Sequence, residues 1–158
     1  MIILGIDPGS TRAGYGVIDF SKKSPKFIAG GILKVFSDDK IQRLVDLRDS
    51  FVTIIKEYSP EIAGVEKLYF VKNMKTALEV AQSRGIIMMC LQDRKIPIKE
   101  FTPSEIKQGI CGYGMADKQA VTKMVRTILK IKNLNEPDDV YDALATAIIT
   151  GYSLSYRK

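Results

Sequence analysis

The apolar run Ile2 to Ile6 stops on a carboxylate, Asp7, and Pro8-Gly9 turns the chain before a second strand-like run from Gly14 to Phe20. A third run, 27–36, follows the turn cluster Ser21 to Pro25, so 2–6, 14–20 and 27–36 read as a three-stranded antiparallel meander. Gly30 and Gly31 inside the third strand predict a bulge or a close backbone approach. From Ile41 the period changes: Ile41, Leu44, Val45, Phe51, Val52, Ile55 and Tyr58 keep to one helical face, and Pro60 follows its end. Ile62 to Glu66 is a short buried strand that again finishes on an acid. A helix over about 73–94 carries Ala77, Leu78 and Ala81 as its inner stripe. Ile86, Ile87, Met88 and Met89 then make it apolar nearly all round, which calls for a second covering surface, either other helices or another subunit. Residues 96–101 read as a fifth strand, and Thr102-Pro103-Ser104-Glu105 as a capping box with proline at the first helical position. After the loop Cys111 to Gly114, Asp117 caps a helix bearing Val121, Met124, Val125, Ile128 and Leu129. Pro137 opens the last helix, which runs to about Tyr156. The order βββ-α-β-α-β-α-α-α predicts an α/β chain with a mixed five-stranded sheet flanked by helices.

No internal repeat, linker or low-complexity tract interrupts the 158 residues, so one domain over 1–158 is expected. With 46% apolar residues and no stretch of ~18 uncharged apolar residues, nothing resembles a membrane span. The start of the chain lacks a basic flank and a small-residue cleavage site. Cys90 and Cys111 lie far apart in different surroundings, so reduced thiols in a cytoplasm are expected. Histidine is absent, which excludes His-based triads, His zinc sites and imidazole bases. Acid–base or metal chemistry must use Asp, Glu or Lys. The net charge of +6 is uneven: residues 67–132 hold 13 Lys and Arg against 5 Asp and Glu. A basic middle points to a polyanion partner, although surplus lysine also serves as a solubilising surface.

Asp7 before Pro-Gly is common turn chemistry, yet Asp7 and Glu66 both end strands, where sites gather in open sheets. The last helix adds Asp138, Asp139 and Asp142 in its first turns, positions that the helix dipole also favours. Asp139, Asp142, Ala143 and Thr146 share one face of small residues that could lie against a sheet, which favours Asp139 over Asp138. Four carboxylates meeting from two strands and a helix would repel unless cations sat among them. Oxygen ligands without Cys or His suit Mg²⁺ or Mn²⁺. Two such ions roughly 3.5–4 Å apart can activate water and stabilise the leaving oxygen in phosphodiester hydrolysis.

Gly5 to Ser10 with Gly14 to Val17, Val65-Glu66 with Lys72-Asn73, Gln82 to Gly85, and Asp139 to Ala145 occur in an order that resembles the RuvC Holliday-junction resolvases. The resemblance runs over essentially the whole chain. It implies an RNase H-like fold, dependence on Mg²⁺ or Mn²⁺, and a homodimer making paired nicks in a four-way DNA junction. It implies that Asp7, Glu66, Asp139 and Asp142 are the metal-binding acids, that Tyr69 stacks on an unpaired base, and that Lys107 and Lys118 stand near the scissile phosphate. It also makes the helix around 73–94 the dimer helix and the RuvA and RuvB branch-migration proteins the expected partners. Two other readings share parts of these motifs. One is an actin- or Hsp70-like ATPase lobe, whose phosphate loop also reads Gly-Ile-Asp-x-Gly. The other is a YqgF-like nuclease of the same fold acting on RNA.

Overall fold

A computed structural model describes residues 1–9, 12–22, 24–68, 74–132 and 134–155, with backbone only at 74 and 75. Its elements follow the predicted order: β1 (Ile2–Asp7), β2 (Gly14–Asp19), β3 (Lys26–Ile32), α1 (Lys40–Tyr58), β4 (Ile62–Glu66), α2 (Met74–Asp93), β5 (Ile98–Phe101), α3 (Pro103–Cys111), α4 (Lys118–Leu129) and α5 (Asp138–Ser155). The sheet order is β3-β2-β1-β4-β5. β1–β2 and β2–β3 pair antiparallel, whereas β1–β4 and β4–β5 pair parallel. The sheet is therefore mixed, and the fold is of the RNase H-like α/β type.

Helices cover both faces of the sheet, each over its own apolar cluster. Leu4, Ile6, Val17, Ala63 and Val65 point to α1 and α2, where Leu47, Phe51, Ile55, Ile87 and Leu91 meet them. Ile3, Ile18 and Ile62 point the other way, to α3, α4 and α5. Strands buried on both sides read as continuous apolar runs, which explains Ile2 to Ile6.

The face toward α5 contains a row of residues without side chains. Register aligns Gly30, Gly16, Gly5 and Gly64 across four neighbouring strands. α5 lies along this row. A Cβ at Gly30 would come within 2.9 Å of Val140 Cγ1, at Gly16 within 2.6 Å of Leu144 Cδ2, at Gly5 within 2.0 Å of the Ala143 carbonyl oxygen, and at Gly64 within 2.1 Å of Thr150 Oγ1. Strands stand roughly 4.8 Å apart and a helix advances about 5.4 Å per turn, so α5 spends close to one turn on each strand. Its contact face is correspondingly small: Ala143, Thr146, Ala147 and Thr150 are fully buried. The two threonine hydroxyls are satisfied on their own helix, donating to the carbonyls of Asp142 and Thr146.

Local signals set the other helices. Thr102 and Glu105 form the expected capping box with Pro103 behind it, Asp117 caps α4, and Asp39 caps α1 through the amides of Ile41 and Gln42. Several expectations need correction. β3 ends at Ile32, because Leu33 already bonds to the Ala13 carbonyl outside the ladder. Its irregularity lies opposite Val17/Ile18, where Ile28 is the extra residue, so Gly30 and Gly31 mark close approach rather than the bulge. β5 spans only 98–101. Ile41 and Leu78 are exposed, not inward. α2 buries Ser83, Ile87, Cys90 and Leu91 instead, and its Met89 is 47% exposed.

Filling the glycine row should unseat α5 in proportion to what the new methyl meets. Gly5→Ala strikes two backbone atoms that cannot turn aside, so a loss at the upper end of the usual overpacking range, about 3 kcal/mol or more, is expected. Gly30→Ala meets chiefly one valine methyl and should cost about 1 kcal/mol. Urea unfolding of the two variants would check the order, and a reversed ranking would contradict the role given to the row.

Candidate active site

Strand alternation decides where the acids point. On β1, Ile3, Gly5 and Asp7 share the α5 face; on β4, Ile62, Gly64 and Glu66 do. Because Gly5 and Gly64 are register partners, Asp7 and Glu66 leave adjacent parallel strands two residues further on, at the same carboxyl edge. α5 brings the next two acids. Asp7 pairs with Gly14 on β2, and a Cβ at Gly14 would meet the Asp139 carbonyl oxygen at 2.1 Å and Asp139 Cβ at 3.1 Å. Asp139 therefore lies over the Asp7–Gly14 pair. Asp142, one turn on, shares its face. Asp138 points outward and approaches Lys118, with Nζ 3.9 Å from Oδ2.

These carboxylates feel one another. Burial first, then the charges of Glu66, Asp142 and Asp139, push the Asp7 carboxyl well above the ordinary carboxylate range, against a smaller opposing pull from Lys118. Burial and Asp142 raise Glu66 to about 7, with Lys107 and Lys118 opposing. Asp142 is also raised, by burial and by Asp138 and Asp139, again with Lys118 and Lys107 opposing. Among the described residues, Lys107 on α3 and Lys118 at the start of α4 are thus the cations that act on the acid edge. Tyr69 lies outside the described residues.

The donor set is hard and anionic, suited to a divalent ion held through oxygen. Acids that raise one another's pKa are the groups a cation would return to the ionised state. Among the described residues, however, no three of them gather around one point, so the conformations shown bring the acids to a common edge without forming a finished coordination shell. Asp7, Glu66, Asp139 and Asp142 are the residues that could hold an ion there.

The family model for the crossover junction endodeoxyribonuclease RuvC matches residues 3–150. The chain belongs to the RuvC family. A curated RuvC from Petrotoga mobilis is 41% identical over 152 residues, covering 96% of this chain and 93% of its own. The RuvC of Thermus thermophilus superposes with a TM-score of 0.88 at 27% identity, over 99% of this chain and 97% of that one. Its structure in complex with a Holliday junction substrate matches equally well, covering 95% of that chain. The yeast mitochondrial Holliday junction resolvase, at 13% identity, shares the fold with a TM-score of 0.71 over 98% of this chain and 80% of its own.

Two features of this RuvC-family site escaped the reading of the sequence. One is the glycine row, whose signal was present as Gly5-Ile-Asp7 and Gly64-Val-Glu66, the same spacing twice. The other is a tie between α4 and the segment that leads into α5. Arg126 donates to the Tyr141 hydroxyl and the Leu134 carbonyl, and Tyr141 donates to that same carbonyl. Nothing local in the sequence announces that pair, fifteen residues apart.

The raised Glu66 carboxyl has a consequence for metal-free protein. Well below pH 4.5 the group is neutral folded or unfolded and costs nothing. As pH climbs toward 7 the unfolded chain ionises first, so folding stability falls through that window and is lowest above it. Glu66→Gln should therefore melt higher than the parent at pH 8 in EDTA, by a few degrees at roughly 2–4 °C per kcal/mol, and converge with it as the pH falls below about 4.5. A divalent cation at pH 8 should restore the parent more than the variant. Thermal melts at the two ends of this pH range would reveal an equal offset if the account were wrong.

Proposed function

We propose that this chain is a Holliday-junction resolvase, a structure-selective DNA endonuclease that makes symmetric paired nicks in a four-way junction by two-metal-ion phosphodiester hydrolysis. The observation that carries the reading is the placement of four carboxylates from β1, β4 and α5 along one edge of the sheet, within the electrostatic reach of Lys107 and Lys118, in a chain of the RuvC family. The Thermus thermophilus relative, matched over almost the whole length, has been seen with a Holliday junction substrate, which favours junction DNA over an RNA hybrid or ATP.

Asp7, Glu66, Asp139 and Asp142 would hold Mg²⁺, or Mn²⁺ in its place. Bound there, such ions supply an activated water and neutralise charge on the leaving oxygen. Lys107 and Lys118 draw the backbone phosphates to the edge and offset the acids' charge. The amides at the start of α4 add a further positive end. Tyr69 would stack on an unpaired base. Two symmetric cuts require two sites related by a two-fold axis, so a homodimer belongs to the mechanism. The outward Leu78 and Met89 of α2 support the helix around 73–94 as its seam. RuvA and RuvB are the expected partners, the cytoplasm the expected compartment, and 1–158 acts as a single nuclease domain.

Labelled four-way DNA, plain duplex and RNA–DNA hybrid, each incubated with Mg²⁺, test the assignment: only the junction should be cut, and in paired positions. Asp7→Asn should bind the junction and fail to cut it, and cleavage retained by that variant would refute the metal assignment. Asp139→Asn should lose about two orders of magnitude in rate or more, while Asp138→Asn, whose carboxylate faces Lys118, should stay within about tenfold of the parent. Binding should weaken steeply with salt, and Lys118→Gln should shallow that slope by about one.

A further inference from the structure

The loop between α3 and α4 holds two apolar side chains out in solvent. Tyr113 is 54% exposed and Met115 91%. The residues that alternate with them are fixed. Gly112 closes α3 at φ 85°, its amide donating to the Gln108 carbonyl while its own carbonyl accepts from Gln108 Nε2 at 2.7 Å. Gly114 lies against Ser104, where a Cβ would come within 2.4 Å of Oγ. Ala116 is fully buried, and Asp117 accepts from the Ala120 amide at 2.7 Å to begin α4. Pinned at 112, 114, 116 and 117, the loop presents 113 and 115 as a rigid projection with little ordering cost on contact.

Its position is set by its neighbours. Lys107 stands on the helix before the loop and Lys118 on the helix after it, with Lys118 within 3.9 Å of Asp138 at the start of α5. Gly114 rests on Ser104, just beyond Phe101, the register partner of Glu66, so the projection lies at the acid edge, in the chain between the two lysines. A polyanion drawn to those lysines puts its phosphates on them. The apolar surface it can offer to Tyr113 and Met115 is the face of a base, which is free only where pairing is interrupted. A polarizable thioether and a phenol ring both suit such a face.

We propose that Tyr113 and Met115 form a preorganised apolar contact for an unpaired nucleobase beside the scissile phosphate, and so help to select interrupted DNA over duplex. This rests on the junction-nuclease reading above. The contact carries no charge, which separates it from the lysines: it should change junction affinity without changing the salt slope.

The test places 2-aminopurine at the branch point and uses the Asp7→Asn chain to hold DNA uncut. Tyr113→Ser with Met115→Ser should weaken junction binding about tenfold and reduce the fluorescence change on binding well below that of the chain carrying Asp7→Asn alone. Duplex affinity, the salt slope and the melting temperature should stay as they were, and Met115→Leu alone should keep the parent's behaviour. Junction affinity and fluorescence equal to the parent's would overturn the proposal, as expected if the projection instead meets a protein. An equal loss on duplex and junction with a shallower salt slope would overturn it too, by making the loop a phosphate contact. If the chain carrying only Asp7→Asn shows no preference for the junction, the nuclease reading falls first and takes this one with it.

Discussion

The contact of α5 with the bare backbone of the sheet carries the site. Two of the four acids ride on that helix, so their distance from Asp7 and Glu66 is the distance at which a helix can rest on a strand. Any side chain on the row Gly30, Gly16, Gly5 and Gly64 would lift α5 away, and Asp139 and Asp142 with it. Small residues on the helix meet missing residues on the sheet. The near match of helix pitch to strand spacing lets the same arrangement repeat from one strand to the next. The Arg126–Tyr141–Leu134 tie then fixes the segment from which α5 starts.

Bringing acids together in this way is electrostatically unfavourable, and the structure answers with placement rather than with direct pairing. Lys107 and Lys118 come from α3 and α4, helices that take no part in the glycine row, and they oppose the rise in the Glu66 and Asp142 carboxyls. The direct contact that Lys118 does make is with Asp138, the acid turned away from the strands. Among the described residues, Asp7, Glu66 and Asp142 are thus left without a cationic partner of their own, which is why burial and their neighbours raise them toward the neutral form.

Much of this was legible in the sequence because the signals are local. A strand ending in Asp7 or Glu66, a capping box at Thr102, an Asp117 cap and a change of period at Ile41 each depend on neighbours within a few residues. Helical spacing put Asp139 on the face of small residues expected to lie against the sheet, and Asp139 does lie over Gly14. Less was legible where a distant partner decides. Leu78 looked inward because its spacing fitted a stripe, yet the side of α2 that is buried depends on where α1 and the sheet stand. Gly30 could mean a bulge or a close approach, and only Val140, over a hundred residues away, separates the two. The register shift fell on Ile28, which no local cue marks.

The margins of the sheet have a bearing on assembly. β3 forms one edge, and the extra residue at Ile28 breaks its repeat of free amides and carbonyls; β5 forms the other and is four residues long. Neither offers a straight template to which a further strand could be added, a design that guards an exposed sheet against sticking edge to edge. Growth of one sheet onto the next, the route by which exposed edges lead to fibres, is thereby disfavoured.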